Sequence, residues 1–520
     1  MGGAQAPTPG PRLGVVAIVL AGSVALSRVL GVAREMVLSH VLGISPEVDA
    51  YRAAFLLPDL LNYLLAGGVL SIVFIPFYTR MRSREGDEAA QRFLALVLGT
   101  TALLAAAGTL AMWLAADRLV ALQFGFPEEQ AALATRLTRI LLPAQIFFVA
   151  GGVLRGALMA RGHFLSQSLA PLLYNLAIIA GGIALGGPLG AEGFAWGALA
   201  GAVVGAFGTA WLEARRVFAV RIRIDLRDPT LHRYLVATLP LVLGATMVTV
   251  DEWYDKWFGA RLAAGTISAL TYARQLMLLP VAMVGQAIAT AALPTLARLS
   301  SEGREPELNE TLVGALRAGL ALACAAGAAA FVFAEPIVRL LFQGGHFSAA
   351  DTQRVAGLLQ IFAFAVPAWI GQQIAVRGFY ARGHTWAPMW LGTAIAGAAA
   401  ALYLVLGRRY GATGLAVAGM IAMNVNALAT LGFLRARYAG PSLAAVAGTT
   451  ARAAVIGLVA GFAAGAIPPL GSGRVGAAID LALGGAVFAA IALAGVQLLG
   501  DPPLRNAVRA IARRLARRSR

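Results

Sequence analysis

Long apolar runs, separated by short polar segments, make up most of this sequence. A run of about 20 apolar residues is long enough to cross the hydrocarbon core of a bilayer as an α-helix. Read in this way, the pattern predicts fourteen transmembrane helices. The predicted spans are 13–42, 48–79, 93–116, 131–160, 166–186, 191–219, 234–260, 267–297, 308–334, 350–381, 386–407, 411–434, 443–467 and 475–499. The longest of these spans must tilt, bend or extend beyond the bilayer.

Composition supports an all-α integral membrane fold. Apolar residues make up 59% of the 520 positions and charged residues only 13%. The single cysteine, Cys324, lies in an apolar run, which excludes a disulfide framework and a cysteine metal site. A signal peptide is the alternative for the first span, since Arg12 precedes an apolar core. That apolar run continues past Ser27 to Leu42, which favours a retained helix.

Basic residues are concentrated in alternate loops, which predicts the orientation in the membrane. The loops after the even-numbered spans carry most of the arginines, whereas the loops between them carry few. We therefore expect the arginine-rich loops and both termini to be cytoplasmic. The basic tail, 501–520, is expected to rest against anionic headgroups. The net charge of +17 is not arranged as a nucleic-acid-binding module, so no nucleic-acid partner is expected. The arginine-rich loops contain Arg80, Arg82, Arg84, Arg92, Arg161, Arg215, Arg216, Arg221, Arg223, Arg227, Arg233, Arg298, Arg304, Arg382, Arg435 and Arg437.

Short sequences recur at nearly one spacing, which indicates an internal duplication. "ARGH" occurs at 160–163 and again at 381–384, and "GAEG" at 190–193 is matched by "GATG" at 411–414. The offset along the chain is the same for both motifs, and it also relates Tyr51 to Tyr272. The repeated unit has six spans, so both copies enter the membrane from the same side. This predicts two six-helix lobes related by a pseudo-twofold axis along the membrane normal.

The duplication predicts four segments. The N-lobe is 1–220, the C-lobe 221–440, an added helix pair 441–500 and a basic cytoplasmic tail 501–520. Within the C-lobe, Ser348 and Asp351 fit an N-cap and its acidic partner at the start of a helix.

Charged residues inside the first span are the main sign of function. At about 100° per residue, Arg28 and Glu35 lie on one helical stripe, with Ser27 and Arg34 on the neighbouring one. A charge facing lipid at this depth is costly, so the stripe is expected to face a cavity between the lobes. The structural alternative is an Arg28–Glu35 ion pair that stabilises the lobe.

Two further arginines, Arg52 and Arg274, occupy nearly equivalent points of the duplication, since their offset exceeds that of the repeated motifs by a single position. By helix rise, Arg34, Arg52 and Arg274 lie about 9–13 Å below the outer ends of their helices, and Arg28 lies deeper. We predict that these three form one outer anion site, which suits a diphosphate because guanidinium groups pair with phosphate oxygens in a bidentate way. The alternative for Arg52 is that it extends to the outer headgroups.

Motifs for catalysis and for cofactors are missing from the sequence: it has no phosphate-binding G-x-x-x-x-G-K-[ST], no H-E-x-x-H and no cluster of cysteine and histidine. We therefore expect a transporter, and no enzyme, cofactor or metal site. A membrane phosphatase or glycosyltransferase stays a minor alternative.

Four stretches resemble a known family. They are "SRVLGVAREMVLSHVLGISPEVDAYRAAFLLPDLL", "TYARQLMLLP", "LFQGGHFSAADT" and "RGFYARGHTWAP". Together they resemble the MurJ (MviN) lipid II flippases of the multidrug/oligosaccharidyl-lipid/polysaccharide exporter superfamily, from about residue 20 to 440. The resemblance implies a monomer in the bacterial cytoplasmic (inner) membrane, with membrane lipids around it. Its substrate would be lipid II, an undecaprenyl-diphosphate-linked GlcNAc–MurNAc–pentapeptide, which it would move outward by alternating access. It also implies a groove for the prenyl tail along the two extra helices.

Carried over by residue, Ser27, Arg28, Arg34 and Asp49 match positions that the family uses in its cavity. The chain departs from the family at Asn62 and Gly67, where the family commonly has charged residues. It departs again at Gln275, where the family has an arginine; the neighbouring Arg274 carries the charge instead. These departures leave open a flippase for another polyprenyl-diphosphate oligosaccharide, such as an O-antigen or exopolysaccharide unit, and a non-transporting membrane scaffold.

Some family members bind sodium between an aspartate of helix 7 and polar residues of helix 11. Asp255 could serve as the first ligand, but 386–407 contains no Asp, Asn, Glu or Gln. A sodium site of this kind is therefore not expected. The acidic and basic residues of helix 7 are expected to form a local charge cluster rather than a coupling site. They are Asp251, Glu252, Asp255 and Lys256.

Overall fold

The computed structural model describes the backbone of residues 11–66, 73–245, 250–501 and 505, and the side chains of 22–65, 73–238, 252–501 and 505. Over these residues the regular structure is helical, as predicted. Two π-helical segments, Ala202–Gly208 and Val281–Gly285, interrupt longer helices. The α-helices are α1 Pro11–Leu42, α2 Pro46–Ala54, α3 Leu56–Ala66, α4 Ile75–Glu85, α5 Asp87–Leu114, α6 Ala116–Gln123, α7 Glu128–Leu141, α8 Ala144–Ala160, α9 Leu165–Leu189, α10 Ala191–Gly201, α11 Thr209–Val217, α12 Pro229–Ala245, α13 Val250–Gly259, α14 Thr266–Pro280, α15 Gln286–Ser301, α16 Glu305–Val332, α17 Ala334–Phe342, α18 Ala349–Ala363, α19 Val366–Ala381, α20 Trp386–Tyr438, α21 Leu443–Gly465 and α22 Gly473–Leu499.

The helices are consistent with the fourteen predicted spans, although fewer of them are long and apolar enough by themselves to cross a membrane. In the described part of the chain nine helices are, and the pair α18 and α19, bent by 44°, makes a tenth. Two predicted spans, 386–407 and 411–434, form the single 53-residue α20, which is broken at Gly411. The remaining three predicted spans fall on helices that are interrupted or partly outside the described residues.

The chain divides into two compact units, Met1–Thr249 and Val250–Arg520. The first contains α12, which the sequence assigns to the second lobe. Tyr234 of α12 is 2% exposed and packs edge-on against Phe74 and Phe93, with ring centroids 6.4 and 5.7 Å apart. The aromatic core of the first unit therefore holds α12. The predicted pseudo-twofold relation of the two lobes stays a prediction.

A close contact between α9 and α10 depends on glycine. Glycines recur at every fourth position of α10 and the π-helical segment after it, at 193, 197, 201 and 205. A Cβ atom at Gly197 would lie 2.6 Å from the carbonyl oxygen of Ala177 in α9. In a membrane, small residues allow this backbone approach, and the packing it gives holds the helices together.

The duplicated turns have the same backbone geometry in both units. Gly190 has φ 55° and ψ −132°, and Gly411 has φ 58° and ψ −137°. In the two "ARGH" turns, Gly162 and Gly383 have φ of 81° and 76°. In each "ARGH" turn the histidine amide donates to the carbonyl five residues earlier, at 2.9 and 3.0 Å. Positive φ is readily adopted only by glycine. The agreement supports the duplication at the level of structure.

The arginine of the first "ARGH" turn links three helices of unit 1. Arg161 donates to Asp87 at the start of α5 at 2.6 Å and to the hydroxyl of Tyr78 at 2.7 Å. Its guanidinium also lies 5.1 Å from the ring centre of Phe218, which follows α11. We call this arginine, with its acidic and aromatic partners, the arginine latch of unit 1.

Unit 2 contains an equivalent arginine latch. Arg382 donates to Glu305 at the start of α16 at 2.6 Å and to Asn309 at 2.8 Å. Its guanidinium lies 4.6 Å from the ring centre of Tyr438, the last residue of α20. The predicted cytoplasmic position of the turn favours an arginine there. The repeated partners show that this arginine also ties the ends of three helices together.

The N-cap predicted at Ser348 is confirmed. Its hydroxyl oxygen accepts from the Asp351 amide at 3.1 Å, and its own amide donates to the Asp351 carboxylate at 2.8 Å. These reciprocal bonds satisfy two backbone donors at the start of α18.

Replacing the latch arginine should destabilise unit 2. The Arg382 side chain is 3% exposed, while its partner Glu305 is 46% exposed. We expect Arg382→Ala to lower the free energy of unfolding by about 1–3 kcal/mol, because it removes a buried, hydrogen-bonded charge pair of which one partner is still solvated. Denaturant or thermal unfolding of the purified protein in detergent measures this.

The matched control is Arg435→Ala, since the side chain of Arg435 is exposed and donates only to the carbonyl of Gly440 among the described residues. Its effect should stay within about 0.5 kcal/mol. Equal stability of the two variants would contradict a structural role for the latch.

Candidate functional site

Glu35, near the end of α1, is the centre of a buried charge cluster. It is 4% exposed and binds two arginines. Arg34 donates to its Oε1 through Nη2 at 2.8 Å and through Nε at 3.1 Å. Arg52 of α2 donates to both carboxylate oxygens, and its side chain is only 10% exposed. We call Arg34, Glu35 and Arg52 the arginine–glutamate cluster; it holds two positive charges and one negative charge.

The turn between α1 and α2 brings the cluster together. Gly43 ends α1 with φ 63°, and its amide donates to the carbonyl of Ser39. Ser45 then caps α2, accepting from the Val48 amide at 3.3 Å. Glu35 precedes the turn by about 12 Å of helix and Arg52 follows it by about 10 Å, so the two side chains meet at one level.

Asn175 of α9 connects this cluster to an earlier part of α1. Its side-chain oxygen accepts from Arg34 at 3.2 Å, and its amide nitrogen donates to the backbone oxygen of Ser27 at 3.4 Å. Two of the predicted site residues, Ser27 and Arg34, therefore share one partner. Sequence reasoning missed Asn175; the available signal was an amide inside an apolar span, which is costly unless it has a role.

The other predicted residues of unit 1 lie in different surroundings. Asp49 is 2% exposed in the first turn of α2. Arg28 is exposed, and Glu35 binds Arg34 and Arg52 rather than Arg28. The Arg28–Glu35 pair, considered as a structural alternative, is therefore wrong for this structure.

Unit 2 contains a second buried ion pair. Arg274 of α14 donates to Oδ2 of Asp255 in α13 through Nε at 2.8 Å and through Nη2 at 2.5 Å. The side chains are 8% and 7% exposed. The guanidinium also lies 5.1 Å from the ring centre of Phe362. Arg274 and Asp255 are therefore shielded from lipid, because they bind each other and the ring of Phe362 covers the guanidinium.

The predicted charge cluster of helix 7 is only partly described. Asp255 turns to Arg274 of the next helix, Glu252 is exposed and Lys256 is half-buried. The side chain of Asp251 lies outside the described residues. No group of three or more His, Cys, Asp or Glu able to hold a metal ion occurs in the part of the chain that was described.

The two ion pairs follow the internal duplication. In each unit an arginine of the second predicted span, Arg52 or Arg274, binds a carboxylate of the first, Glu35 or Asp255. Compared with the offset of the repeated motifs, the offset between the arginines is longer by one position and that between the carboxylates is shorter by one. The difference between the units is Arg34, which adds a second positive charge to the carboxylate of unit 1.

The family departures also have definite places. Asn62 of α3 donates to the side-chain oxygen of Gln145 in α8 at 2.8 Å. Gln275, next to Arg274, is half-buried, and its side-chain oxygen has no hydrogen-bond partner among the described residues. Gly67 lies outside the described residues. The three predicted arginines Arg34, Arg52 and Arg274 therefore each bind a carboxylate, and their union into one anion site stays a prediction.

Neutralising Glu35 should destabilise unit 1. We expect Glu35→Gln to lower the free energy of unfolding by about 3–5 kcal/mol, because it removes the buried carboxylate that two largely buried arginines bind. Combining it with Arg52→Gln should recover part of the loss, since the two residues are coupled.

The control is Glu192→Gln, because Glu192 pairs with the exposed Arg136 at 3.1 Å in the same unit. Its effect should not exceed about 1 kcal/mol. Unfolding of the four variants in detergent measures the coupling. Strictly additive losses at Glu35 and Arg52 would show that the cluster does not act as one unit.

Comparison with known proteins identifies the family. The family model for the lipid II flippase MurJ matches residues 38–470. The probable lipid II flippase MurJ of Rhizobium meliloti is 30% identical over 415 residues, 77% of each chain. The corresponding protein of Bdellovibrio bacteriovorus is 27% identical over 430 residues, 81% of each chain.

Solved structures agree at the level of the fold. A lipid II flippase MurJ in an inward closed conformation aligns with a TM-score of 0.78 at 21% identity, over 93% of this chain and 99% of that one. An inward-facing multidrug resistance MATE transporter of the MOP superfamily aligns with a TM-score of 0.65 at 18% identity, over 79% and 94%. Because the family model covers most of the chain, this protein belongs to the MurJ lipid II flippase family of multi-pass membrane transporters.

Proposed function

We propose that this protein is a lipid II flippase of the bacterial cytoplasmic membrane. It moves the undecaprenyl-diphosphate-linked peptidoglycan precursor from the inner to the outer leaflet by alternating access, without making or breaking covalent bonds. The family supports the substrate. The single observation that carries the chemistry is the arginine–glutamate cluster, in which two arginines of unit 1 bind one buried carboxylate.

The cluster is suited to a diphosphate. Guanidinium groups bind phosphate oxygens in bidentate pairs, and they do so best when their orientation is fixed in advance. Glu35 fixes Arg52, and Glu35 with Asn175 fixes Arg34. Both arginines bind Glu35 in this structure, so they are paired while the site is empty. This lowers the cost of keeping two guanidinium groups in place for a diphosphate.

We propose that the arginines bind the diphosphate in a fixed order during the transport cycle. Arg28 binds the diphosphate early, and Arg34, Arg52 and Arg274 grip it late as one outer anion site. The burial of Arg52 against Glu35 supports this assignment over an extension of Arg52 to the outer headgroups. In this step Arg274 releases Asp255 and binds a phosphate oxygen instead. Carboxylate and phosphate oxygens accept charge-assisted hydrogen bonds from a guanidinium in the same way, so one can replace the other.

Orientation, tail binding and oligomeric state complete the proposal. Both termini lie in the cytoplasm, the chain acts as a monomer and the basic tail rests on anionic headgroups. Helices α21 and α22 supply a groove for the prenyl tail. An apolar surface on α21 supports this, since Phe462 is 81% exposed and Leu458 and Val459 are 58% and 57% exposed.

Flippases for other polyprenyl-diphosphate oligosaccharides would use the same features, so the assay below includes a second substrate.

The proposed orientation predicts opposite reactivity of two surface positions. Arg84 and Arg474 are both exposed. With Cys324→Ala as background, Arg474→Cys should react with an impermeant maleimide in intact cells, and Arg84→Cys should react only after the membrane is opened. Equal labelling of both positions in intact cells would contradict the fourteen-span topology.

The proposed role of the arginines predicts a loss of transport. Arg28 is exposed, so Arg28→Ala should fold normally yet reduce lipid II flipping by about tenfold or more, the equivalent of one lost charge-assisted contact. Arg34→Lys should retain only part of the activity, because lysine lacks the bidentate fork. Flipping is measured as lipid II accessible on the outer leaflet after depletion of the native protein.

Arg118→Ala is the matched control, since Arg118 is an exposed arginine of α6 predicted to lie outside. It should behave as the unaltered protein. Normal flipping by both cavity variants would favour the membrane scaffold. Restored flipping of an O-antigen-type lipid, but not of lipid II, would favour the other substrate class.

A further inference from the structure

A cavity of about 380 Å³ lies within unit 1, among α3, α7, α8 and α9. This volume is within the range of small-molecule binding sites, roughly 300–1,000 Å³. Its walls combine aromatic rings with a few polar groups, the composition that binding pockets share. The residues named in the sequence analysis include only one of its lining residues, Asn62.

Two amide side chains in the cavity wall have hydrogen-bonding capacity left over. Asn62 and Gln145 are joined by one bond, from the Asn62 amide to the Gln145 oxygen at 2.8 Å. In the part of the chain described, the Asn62 oxygen and the Gln145 amide group have no protein partner. Gln145 is only 5% exposed, so leaving its donors unmatched is costly. Together they offer a ligand one acceptor and one donor, and Asp59 adds a carboxylate to the same wall.

Aromatic rings form the rest of the wall. Phe148 and Tyr174 meet edge to face, with ring centroids 5.2 Å apart and planes at 73°. Phe55 and Tyr63 also line the cavity. Such rings pack against the C–H face of a pyranose, while amides and a carboxylate hydrogen-bond its hydroxyl and acetamido groups. The pocket therefore has both parts needed to bind an N-acetylated sugar.

The wall of the cavity disfavours the diphosphate as the occupant. No arginine, lysine or histidine is among its lining residues in the described part of the chain, so a phosphate would find no positive counter-charge there. A metal cation is also a poor fit, because calcium and magnesium require about six oxygen ligands close together. A neutral ligand that is polar at its edge and apolar on its face is favoured.

The cavity adjoins the arginine–glutamate cluster. Phe55 follows Arg52 by three residues, about 4.5 Å along the helix. Tyr174 immediately precedes Asn175, whose side chain binds Arg34. A group attached directly to a diphosphate held by the cluster would therefore lie close to the cavity.

We propose that this cavity is the sugar subsite of the transporter and binds the N-acetylated sugar that is joined to the diphosphate. The proposal rests on the proposed function. The family charge at the position of Asn62 is replaced here by a neutral amide paired with Gln145, so recognition at this point is by hydrogen bonding and stacking.

Binding to three lipids tests the proposal. The probes are undecaprenyl diphosphate, the same lipid carrying one N-acetylhexosamine, and lipid II, each titrated against the full chain in nanodiscs. Asn62→Leu and Gln145→Leu should each weaken binding of the two sugar-bearing lipids about tenfold, the loss expected for a buried polar contact. Binding of undecaprenyl diphosphate should change less than about twofold. Asn424→Leu is the control, because Asn424 is a span amide that already donates to the backbone of Phe364 and Met420.

Each outcome has a separate meaning. If the unaltered protein does not bind lipid II, the proposed function fails. If it does, but the two variants weaken all three lipids equally or none, the sugar subsite is overturned. Loss for lipid II alone would assign the cavity to the peptide or the second sugar, which also overturns it. Should both amide variants unfold, Phe148→Leu tests the aromatic wall and must show the same selective loss.

Discussion

The structure depends on one constraint: an arginine inside the membrane must have polar partners, and between the first two predicted spans of each unit that partner is a carboxylate. Leaving a guanidinium unpaired in a low-dielectric interior costs several kcal/mol or more. Glu35 satisfies this for Arg34 and Arg52, and Asp255 does so for Arg274. The tight turn between α1 and α2 and the polar contact from α9 follow from this requirement, because they bring partners to the depth at which the charges lie.

The duplication explains why the same structural features recur in both units, and the two units differ at the proposed site. Both units contain the glycine turn, the arginine latch and a buried ion pair between the first two spans. In unit 1 a second arginine, Arg34, joins the ion pair between the first two spans, and a cavity lined by aromatic rings, two amides and Asp59 lies in the same unit. The proposed site for the diphosphate and the proposed subsite for the sugar thus lie side by side in one unit.

The departures from the family pattern fit this division. Asn62, where the resemblance leads us to expect a charged residue, donates to Gln145 in a wall of amides and aromatic rings. At Gln275 the charge has moved to the adjacent Arg274, which packs on Phe362 and pairs with Asp255. Neither change leaves a buried charge without a partner.

Sequence alone determined the helical membrane fold, the duplication and the arginines, because apolar runs, repeated motifs and charges in lipid are local features of the chain. It predicted Ser27, Arg34, Arg52 and Arg274 as site residues, but not their partners. The joining of Glu35 to Arg52, of Arg34 to Asn175 and of Asn62 to Gln145 was decided by tertiary structure. The residues of these pairs lie 17 to 141 positions apart in the chain. The sequence around an amide in a span is also the same whether its side chain faces a charge cluster, a cavity or its own helix. Only packing fixes which face of each helix meets which neighbour.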